Sequence, residues 1–414
     1  MLRMTFVWVL FFLACSAGSS GAEDKAIEAL EAKGQSLFSR YCSHCHGIKG
    51  EGDGYNSEFL EKEPANLADR SFISKKSNDQ LFRVISLGGI GVKKSPLMPT
   101  FGNTLSGEDI WSLIAFIRKL SGDDSHQLVL PPDVGKSKPE APSFIKKDFQ
   151  KYLLSVANEE QRKTLVTQGE MFFKKKKSCI ACHRVGDEGG KVGPDFSRAG
   201  FLYKPEWLFT WIPNPQRMHH NTPMPSMPMD RDEISSITAY LIHMGSSLPP
   251  EWKPYLEKKG DLKRGEMLFF DTAGKANCSK CHQINGKGGL VGPDLSIVGS
   301  SRTSQFILES ILNPSRVVTV GYTSVSITTK DDKILTGVIK SEDESSIEIA
   351  DKEGHRQRVS KDQIKKINPQ SASIMPGNFK EILTVEEIRD VLAFLETLTS
   401  SVVNELLSND VGAK

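Results

Sequence analysis

The chain has 414 residues, with 53 basic against 51 acidic side chains, so its formal net charge is only +2. A chain of this length typically makes two to four domains. The near-balanced charge gives no reason to expect a nucleic-acid partner. Composition therefore excludes a strongly basic or disordered chain, and the function must be sought in motifs.

The first 22 residues have the pattern of an export signal. Arg3 supplies the positive charge, and Thr5–Ala14 is an apolar run too short to span a bilayer comfortably. Residues 20–22 are small, as a signal peptidase requires. Lipid attachment at Cys15 is the alternative, and only that route would associate the protein with a membrane. We therefore expect an exported, periplasmic protein.

Six of the seven Cys residues belong to one pattern, Cys-x-x-Cys-His, which occurs three times. Two thiols at this spacing can each form a thioether with one porphyrin, and the adjacent His then directs an imidazole nitrogen at the iron. The predicted attachment residues are Cys42, Cys45, Cys179, Cys182, Cys278 and Cys281, and the predicted axial ligands are His46, His183 and His282. The sequence thus predicts three covalently attached haem c groups.

Redox dithiols and zinc sites also contain Cys-x-x-Cys and are the alternatives. A redox dithiol needs no His directly after it. A zinc site needs more ligands, and no further Cys-x-x-Cys remains to supply them. The repeated His therefore favours haem over both alternatives.

The first predicted domain, module one, covers residues 26–121. A helical pattern runs up to Cys42, and a second helix is predicted over residues 77–87. Ser106 is a favourable N-cap for an amphipathic final helix over residues 108–120.

Module two covers residues 160–247 and follows a Pro-containing linker, residues 122–159. Residues 144–156 of the linker are predicted to form a short helix that packs on a neighbour. In module two, an aromatic helix follows the haem motif, and Asp230 caps the final helix.

Module three covers residues 262–398, and the tail at 399–414 is expected to fray. It repeats the order of module two, with a helix predicted over residues 303–312 and a final helix over 385–397. These internal repeats predict three tandem domains of one mainly α fold.

Module three is longer because of an insertion. From axial His to candidate Met, the spacing is 41 residues in module two and 93 in module three. The excess matches residues 318–368, where apolar and polar side chains alternate as they do in strands. The sequence predicts four or five strands of a small twisted β-barrel there.

Three Met residues suit the sixth coordination position, because each precedes a Pro and lies shortly before a final helix. They are Met98, Met224 and Met375, and in module two Met227 and Met229 compete with Met224. Thioether ligation favours ferrous iron and raises the potential. Three fully ligated irons would make the protein an electron carrier, whereas one open iron would favour peroxidase-like chemistry.

All three modules resemble class I cytochrome c domains. Each has Gly and Phe before the haem motif, and the final helices share the signature Ala115-Phe116-Ile117, Ala239-Tyr240-Leu241 and Ala393-Phe394-Leu395. The resemblance implies that first and final helices cross over a central haem, and the small Ala is expected to allow this close crossing. Module three also resembles a haem-binding domain family that carries the insertion before its Met ligand.

The resemblance further implies that Pro194 and Pro293 accept a hydrogen bond from the axial imidazole through their carbonyl groups. Pro64 is expected to do the same in module one. Directly before the second motif, Lys174–Lys177 are either a solvated face or a docking patch beside a haem edge. The second interpretation predicts an acidic redox partner.

These observations predict an exported trihaem c-type cytochrome that transfers electrons between protein partners and is not itself an enzyme. The alternative is an electron-accepting subunit of a periplasmic dehydrogenase complex. A peroxidase-like haem enzyme is less favoured, because the sequence offers a Met for each iron.

Overall fold

The computed structural model of the protein describes residues 20–131, 134–135, 144, 146–245, 248–342 and 345–408. The lipid-attachment alternative at Cys15 and nearly all of the expected export signal lie outside the described residues. Within them, no helix combines the length and apolar character needed to cross a membrane.

The chain divides into two compact units. The first comprises residues 1–57, 63–86 and 105–139, and the second comprises residues 58–62, 87–104 and 140–414. The second unit thus contains the stretches predicted as modules two and three.

In the first unit, the first and final helices of module one are Ser20–Tyr41 and Gly107–Ser121. The Ser106 hydroxyl accepts a hydrogen bond from the Asp109 N–H, and the Asp109 carboxylate accepts one from the Ser106 N–H. This capping box fixes the start of the final helix, as Ser106 predicted. The shorter helices of module one are Ser43–His46, Ser57–Phe59, Arg70–Ile73 and Asn78–Gly91.

Modules two and three share a helix before the motif, a helical turn within it, two helices after it and a final helix, and Asp230 and Thr384 cap the final helices with capping boxes. The helices of module two are Glu159–Met171, Phe172–Lys176, Cys179–Ala181, Ala199–Leu202, Pro205–Trp211, Pro215–Arg217 and Arg231–His243. Those leading into and forming module three are Pro250–Trp252, Lys253–Leu256, Leu262–Phe270, Cys278–Lys280, Val298–Ser301, Ser304–Leu312, Lys361–Gln363, Phe379–Ile382 and Val385–Glu396. Short hairpins follow the second and third motifs, with strands Arg184–Val185, Glu188–Gly189, Gln283–Ile284 and Lys287–Gly288.

The linker helix, Lys146–Ala157, is close to its prediction and packs on module two. Phe149 and Tyr152 are buried, and their rings lie 5.4 and 5.7 Å from the ring of Phe209. Ring pairs at this separation add to the apolar burial.

A glycine of the first helix permits the close helix crossing. A Cβ at Gly169 would lie 2.0 Å from Ser236 O and 2.6 Å from Tyr240 Cβ, and the Tyr240 ring contacts Phe173. The equivalent sets are Gly34, Ser112, Phe116 and Phe38 in module one, and Gly265, Asp390, Phe394 and Phe269 in module three. A glycine thus stands at each crossing, and the role expected for the Ala of the final helix stays a prediction.

The insertion in module three is a five-stranded antiparallel sheet. Its strands are Ser324–Thr329, Ile334–Glu342, Ser346–Ala350, Arg356–Ser360 and Ile364–Pro369. The last strand pairs with the first, and Ile327 and Ile349 lie in the small core of the sheet. The predicted strands are therefore present. Closure into a barrel is not, because the fourth and fifth strands each pair on one side only among the described strands.

The described part of the tail, residues 399–408, is mostly helical rather than frayed as predicted. Ser401–Leu407 is a helix, and Val403 and Leu406 are buried in the core of module two. Arg217 of module two also binds Glu405 at 2.6 Å. Apolar residues three positions apart share one helix face, so the segment that follows module three in sequence folds onto module two.

Candidate haem centres

The three Cys-x-x-Cys-His motifs share the same two backbone hydrogen bonds. In each, the His N–H donates to the carbonyl of the first Cys, with N···O distances of 2.9, 2.9 and 3.0 Å in chain order. The second Cys N–H donates to the same carbonyl at 3.1 to 3.2 Å. Both thiols and the imidazole are thus held on one turn, the arrangement that thioether attachment uses.

Burial raises the pKa of the first thiol of each motif. The pKa of Cys42 and of Cys179 rises to about 12 and that of Cys278 to about 11, mainly through desolvation. Redox dithiols react as thiolates, which need the opposite shift. In the described part of the chain, no group of three or more His, Cys, Asp or Glu could hold a metal ion. The zinc and dithiol alternatives therefore lose support.

The axial His residues of modules two and three are held through Nδ1. His183 Nδ1 donates to Pro194 O at 2.9 Å, and His282 Nδ1 donates to Pro293 O at 2.8 Å. Burial lowers the pKa of His183 to about 4 and also lowers the pKa of His282. A neutral imidazole that donates from Nδ1 has its Nε2 lone pair free for iron. The predicted role of the two Pro carbonyls is confirmed.

In module one, Ala65 and not Pro64 accepts this hydrogen bond. His46 Nδ1 donates to Ala65 O at 2.9 Å, and burial lowers the pKa of His46. The same chemistry is therefore present, one residue later than the sequence analysis placed it.

The geometry of the turn explains why the acceptor in module one lies one residue later. Asp195 and Asp294 follow the Pro in modules two and three, and their carboxylates accept from the N–H two residues on at 2.7 Å. In module one, Asn66 does the same with Ala68 N–H at 2.9 Å. These side-chain turns align Asn66 with the two Asp residues. Ala65 then corresponds to their Pro, and the Pro of module one occupies the position of Gly.

The candidate Met ligands lie in loops before the final helices. Met224 and Met375 are partly buried against the cores of modules two and three. Met227, one alternative, has only 6% exposure and belongs to the core of module two, which favours Met224 for coordination. Met98 lies in the second unit, whereas the first motif lies in the first unit. The pairing of each His with its Met stays a prediction.

Comparisons with known protein families agree with this chemistry. Residues 166–245 and 262–330 match the family described as cytochrome c. Residues 29–117 match the family described as cytochrome C oxidase, cbb3-type, subunit III. Each match contains one of the three motifs. The chain is a multihaem class I cytochrome c.

Two further similarities are more limited. Cytochrome c oxidase subunit 2 of Alkalihalophilus pseudofirmus is 36% identical over a 97-residue alignment that covers 21% of this chain and 28% of that subunit. The cytochrome therefore matches less than a third of that relative. A chain of the reducing HAO-like protein complex of Kuenenia stuttgartiensis is 20% identical, with 52% of this chain and 96% of that chain covered. Its TM-score of 0.19 carries no argument about fold or function.

The lysine run beside the second haem motif is half neutralised in the cytochrome. Lys174 Nζ lies 2.8 Å from a Glu188 carboxylate oxygen, and Lys177 Nζ lies 2.8 Å from Glu233. The exposed members of the run are Lys175 and Lys176. Any docking patch here is therefore smaller than four consecutive lysines suggest.

Modules two and three of the cytochrome meet through equivalent segments, a contact that the sequence analysis missed. Tyr203 and Arg302 form an antiparallel bridge, and each lies 20 residues after the axial His of its own module. The Arg302 guanidinium lies 4.2 Å from the centre of the Tyr203 ring and 4.9 Å from that of Phe306. Such cation–π contacts stabilise a partly desolvated Arg.

The hydrogen bonds beside this bridge are reciprocal. Lys204 N donates to Ser301 O at 3.2 Å, and Thr303 N donates to Leu202 O at 3.4 Å. Counted from each axial His, both bonds join residue 21 of one module to residue 19 of the other. The two modules are therefore related by a local two-fold axis at this contact. No sequence signal marks this contact, because equal positions in two repeats do not show that the repeats pack there.

An ion pair and an apolar contact reinforce this interface. Arg198 makes two hydrogen bonds to Glu309, at 3.0 and 2.9 Å, and the Glu309 side chain is 5% exposed. Phe306 of module three is buried in the core of module two. Paired bonds of this kind fix orientation as well as distance, so the two haem modules are held in one arrangement.

The inserted sheet contacts the loop that follows the third motif. Lys340 Nζ donates to Val291 O at 3.3 Å, and burial lowers the pKa of Lys340. A Cβ at Gly354 would lie 3.8 Å from Val291 Cγ2. Val291 is buried, whereas Val192, at the same distance after His183, is half-buried. The sheet thus covers the third attachment loop, and its counterpart in module two is more open.

Proposed function

We propose that this cytochrome carries three covalently attached haem c groups and transfers electrons between protein partners after export to the periplasm. The observation that carries the proposal is the axial His. In all three motifs its Nδ1 donates to a backbone carbonyl, so Nε2 is left for iron. Bound haem c supplies a one-electron couple at iron. The chain supplies two thiols for attachment and an oriented, neutral imidazole.

The sixth ligands in this proposal are Met98, Met224 and Met375. Each precedes a Pro in the loop before a final helix. A Met at every iron leaves no position for peroxide, which separates an electron carrier from a peroxidase-like enzyme. His/Met ligation also favours the reduced iron, as suits a carrier that accepts electrons readily.

Lys175 and Lys176 are proposed as the contact for an acidic partner at module two. Both are exposed beside the second motif, where the attachment loop is not covered by the inserted sheet. Exposed charge at a small interface acts mainly on the association rate. The bimolecular electron-transfer rate of the wild type should therefore fall as salt rises. At low salt, the variant with Lys175→Gln and Lys176→Gln should react more slowly than the wild type.

Membership of a larger complex is the second candidate. One match is to the cbb3 subunit III family and another is to an oxidase subunit 2, and both names refer to oxidases. A complex with a terminal oxidase therefore has more support than the dehydrogenase complex expected from sequence. Purification of the tagged cytochrome from membranes would separate these cases by the enzyme that accompanies it.

Spectroscopy of ligand variants tests the carrier proposal. The wild-type ferric protein should be entirely low-spin and should show the charge-transfer band of His/Met ligation. Replacing Met98 or Met375 by Ala should remove the share of that band belonging to one haem and lower one potential. High-spin haem in the wild type would contradict the proposal and support the peroxidase-like alternative.

A further inference from the structure

The Met224 loop is fixed at three points. Met224 N donates to Thr222 Oγ1 at 3.2 Å, and Gln216 Nε2 donates to Met224 O at 2.6 Å. The third contact reaches the sulfur itself, because Trp211 Nε1 donates to Met224 Sδ at 3.1 Å. Backbone and thioether are therefore both positioned by neighbouring side chains.

The donors of these bonds are themselves held in place. The Trp211 ring stacks on Trp207, with centroids 5.2 Å apart and planes inclined by 18°, and Trp207 is buried. Ser226 Oγ donates to Gln216 Oε1 at 2.5 Å. A donor locked by packing keeps its geometry without further ordering. The indole N–H is thus directed at the sulfur by the fold.

The chemistry of a thioether gives this contact a consequence. Its sulfur is a weak acceptor, and in a bound Met the same atom donates to iron. A hydrogen bond to that sulfur withdraws electron density, so the sulfur becomes a weaker donor to ferric iron. We propose that Trp211 is a positioning residue that orients the Met224 thioether and raises the potential of the second haem centre. This inference rests on the proposed ligation by Met224.

Module three provides the internal comparison. The residue 28 positions after the axial His is Trp211 in module two and Ser310 in module three. The Ser310 hydroxyl donates to Phe306 O at 2.9 Å, within its own helix. The Ser310 hydroxyl, which replaces the indole in module three, thus donates its hydrogen bond to the backbone. Of these two repeats, the structure assigns a donor to the Met sulfur in module two.

The test uses the full-length, haem-loaded protein with Met methyl groups labelled for NMR. Iron-bound Met methyl signals of the reduced protein are displaced by the porphyrin ring current, and Met224→Ala identifies the signal of Met224. In Trp211→Phe this signal should move. In a potentiometric titration, the reduced-to-oxidised ratio of one centre, compared at the same applied potential, should fall by up to about tenfold. This corresponds to a midpoint potential lower by up to about 59 mV for a one-electron couple.

Trp207→Phe is the matched control, since it changes the stacked neighbour and keeps the Trp211 N–H. It should shift the ratio less than Trp211→Phe does. Trp211→Leu is the second variant if Trp211→Phe does not accumulate. An unchanged Met224 signal and unchanged potentials in the Trp211 variants would overturn the inference. If Met224→Ala removes no displaced methyl signal, the ligand assignment fails instead, so the two failures are distinguishable.

Discussion

Modules two and three follow one plan but complete their cores differently. Both have a Gly at the helix crossing and a Pro carbonyl on the axial imidazole. The core of module two includes Phe306 of module three, together with Val403 and Leu406 of the tail helix. The core of module three is built from its own stretch and the residues just before it. A sequence repeat and a stable core therefore need not have the same boundaries.

The two modules also differ in the access they give to their attachment loops. The inserted sheet covers Val291 in module three, whereas Val192 in module two is half-buried. The motif and its His–carbonyl bond are nevertheless the same in both. Attachment chemistry is thus set by local sequence, and access to it is set by what the rest of the chain places nearby.

The largest effect on stability is expected in the tail helix. Replacing both Val403 and Leu406 by Ala should lower the free energy of unfolding by about 4 kcal/mol, because it removes buried aliphatic groups and leaves cavities. Chemical denaturation measures this change. Hydrogen exchange should localise it to Pro205–Trp211 of module two. The control is Leu407→Ala, at a residue 46% exposed, with an expected change below about 0.5 kcal/mol. Equal stability of variant and control would show that module two does not depend on the tail.

A smaller effect is expected at the ion pair between the modules. Glu309→Gln should lower the free energy of unfolding by about 2–3 kcal/mol, because it removes the negative charge that pairs with the partly buried Arg198. The double variant with Arg198→Met and Glu309→Met should lose less free energy of unfolding than the single variants Arg198→Met and Glu309→Met lose when added together.

The exposed pair between Arg217 and Glu405 is the control for this experiment. Arg217→Met should change stability by no more than about 1 kcal/mol, since both partners are solvated. Additive single and double variants at Arg198 and Glu309 would mean that the pair does not couple the modules.

The smallest effect on stability is expected where the sheet covers the third loop. Lys340→Met removes the donor to Val291 O and should lower the free energy of unfolding by less than about 1 kcal/mol. It should, however, speed amide exchange at residues 289–292 and leave residues 190–193 unchanged. Lys366→Met, on an exposed strand position, should alter neither loop. Unchanged exchange at the third loop would argue against the cover.

Local patterns carried most of what the sequence could predict. The three motif turns, the helix caps at Ser106 and Asp230, and the position of the strands follow from residues close together in the chain. The carbonyl that accepts from His46 was predicted one residue too early, at Pro64 instead of Ala65. Pro64 resembled the Pro of the other modules, but the side chain of Asn66 sets the position of the turn.

Long-range contacts account for the rest. Nothing near Val403 indicates that its helix returns to module two, since that contact joins segments far apart in the chain. The bridge between Tyr203 and Arg302 likewise depends on how two repeats pack. Periodicity shows which face of an element is apolar, and it does not show which partner covers that face.

Mass spectrometry of the denatured mature protein, produced with cytochrome c maturation, tests the central claim most directly. The expected mass is that of the polypeptide with three haem groups, retained on denaturation because thioethers are covalent. Replacing Cys179 and Cys182 by Ala should remove one haem and leave two. A mass without haem, or with zinc in its place, would contradict the account.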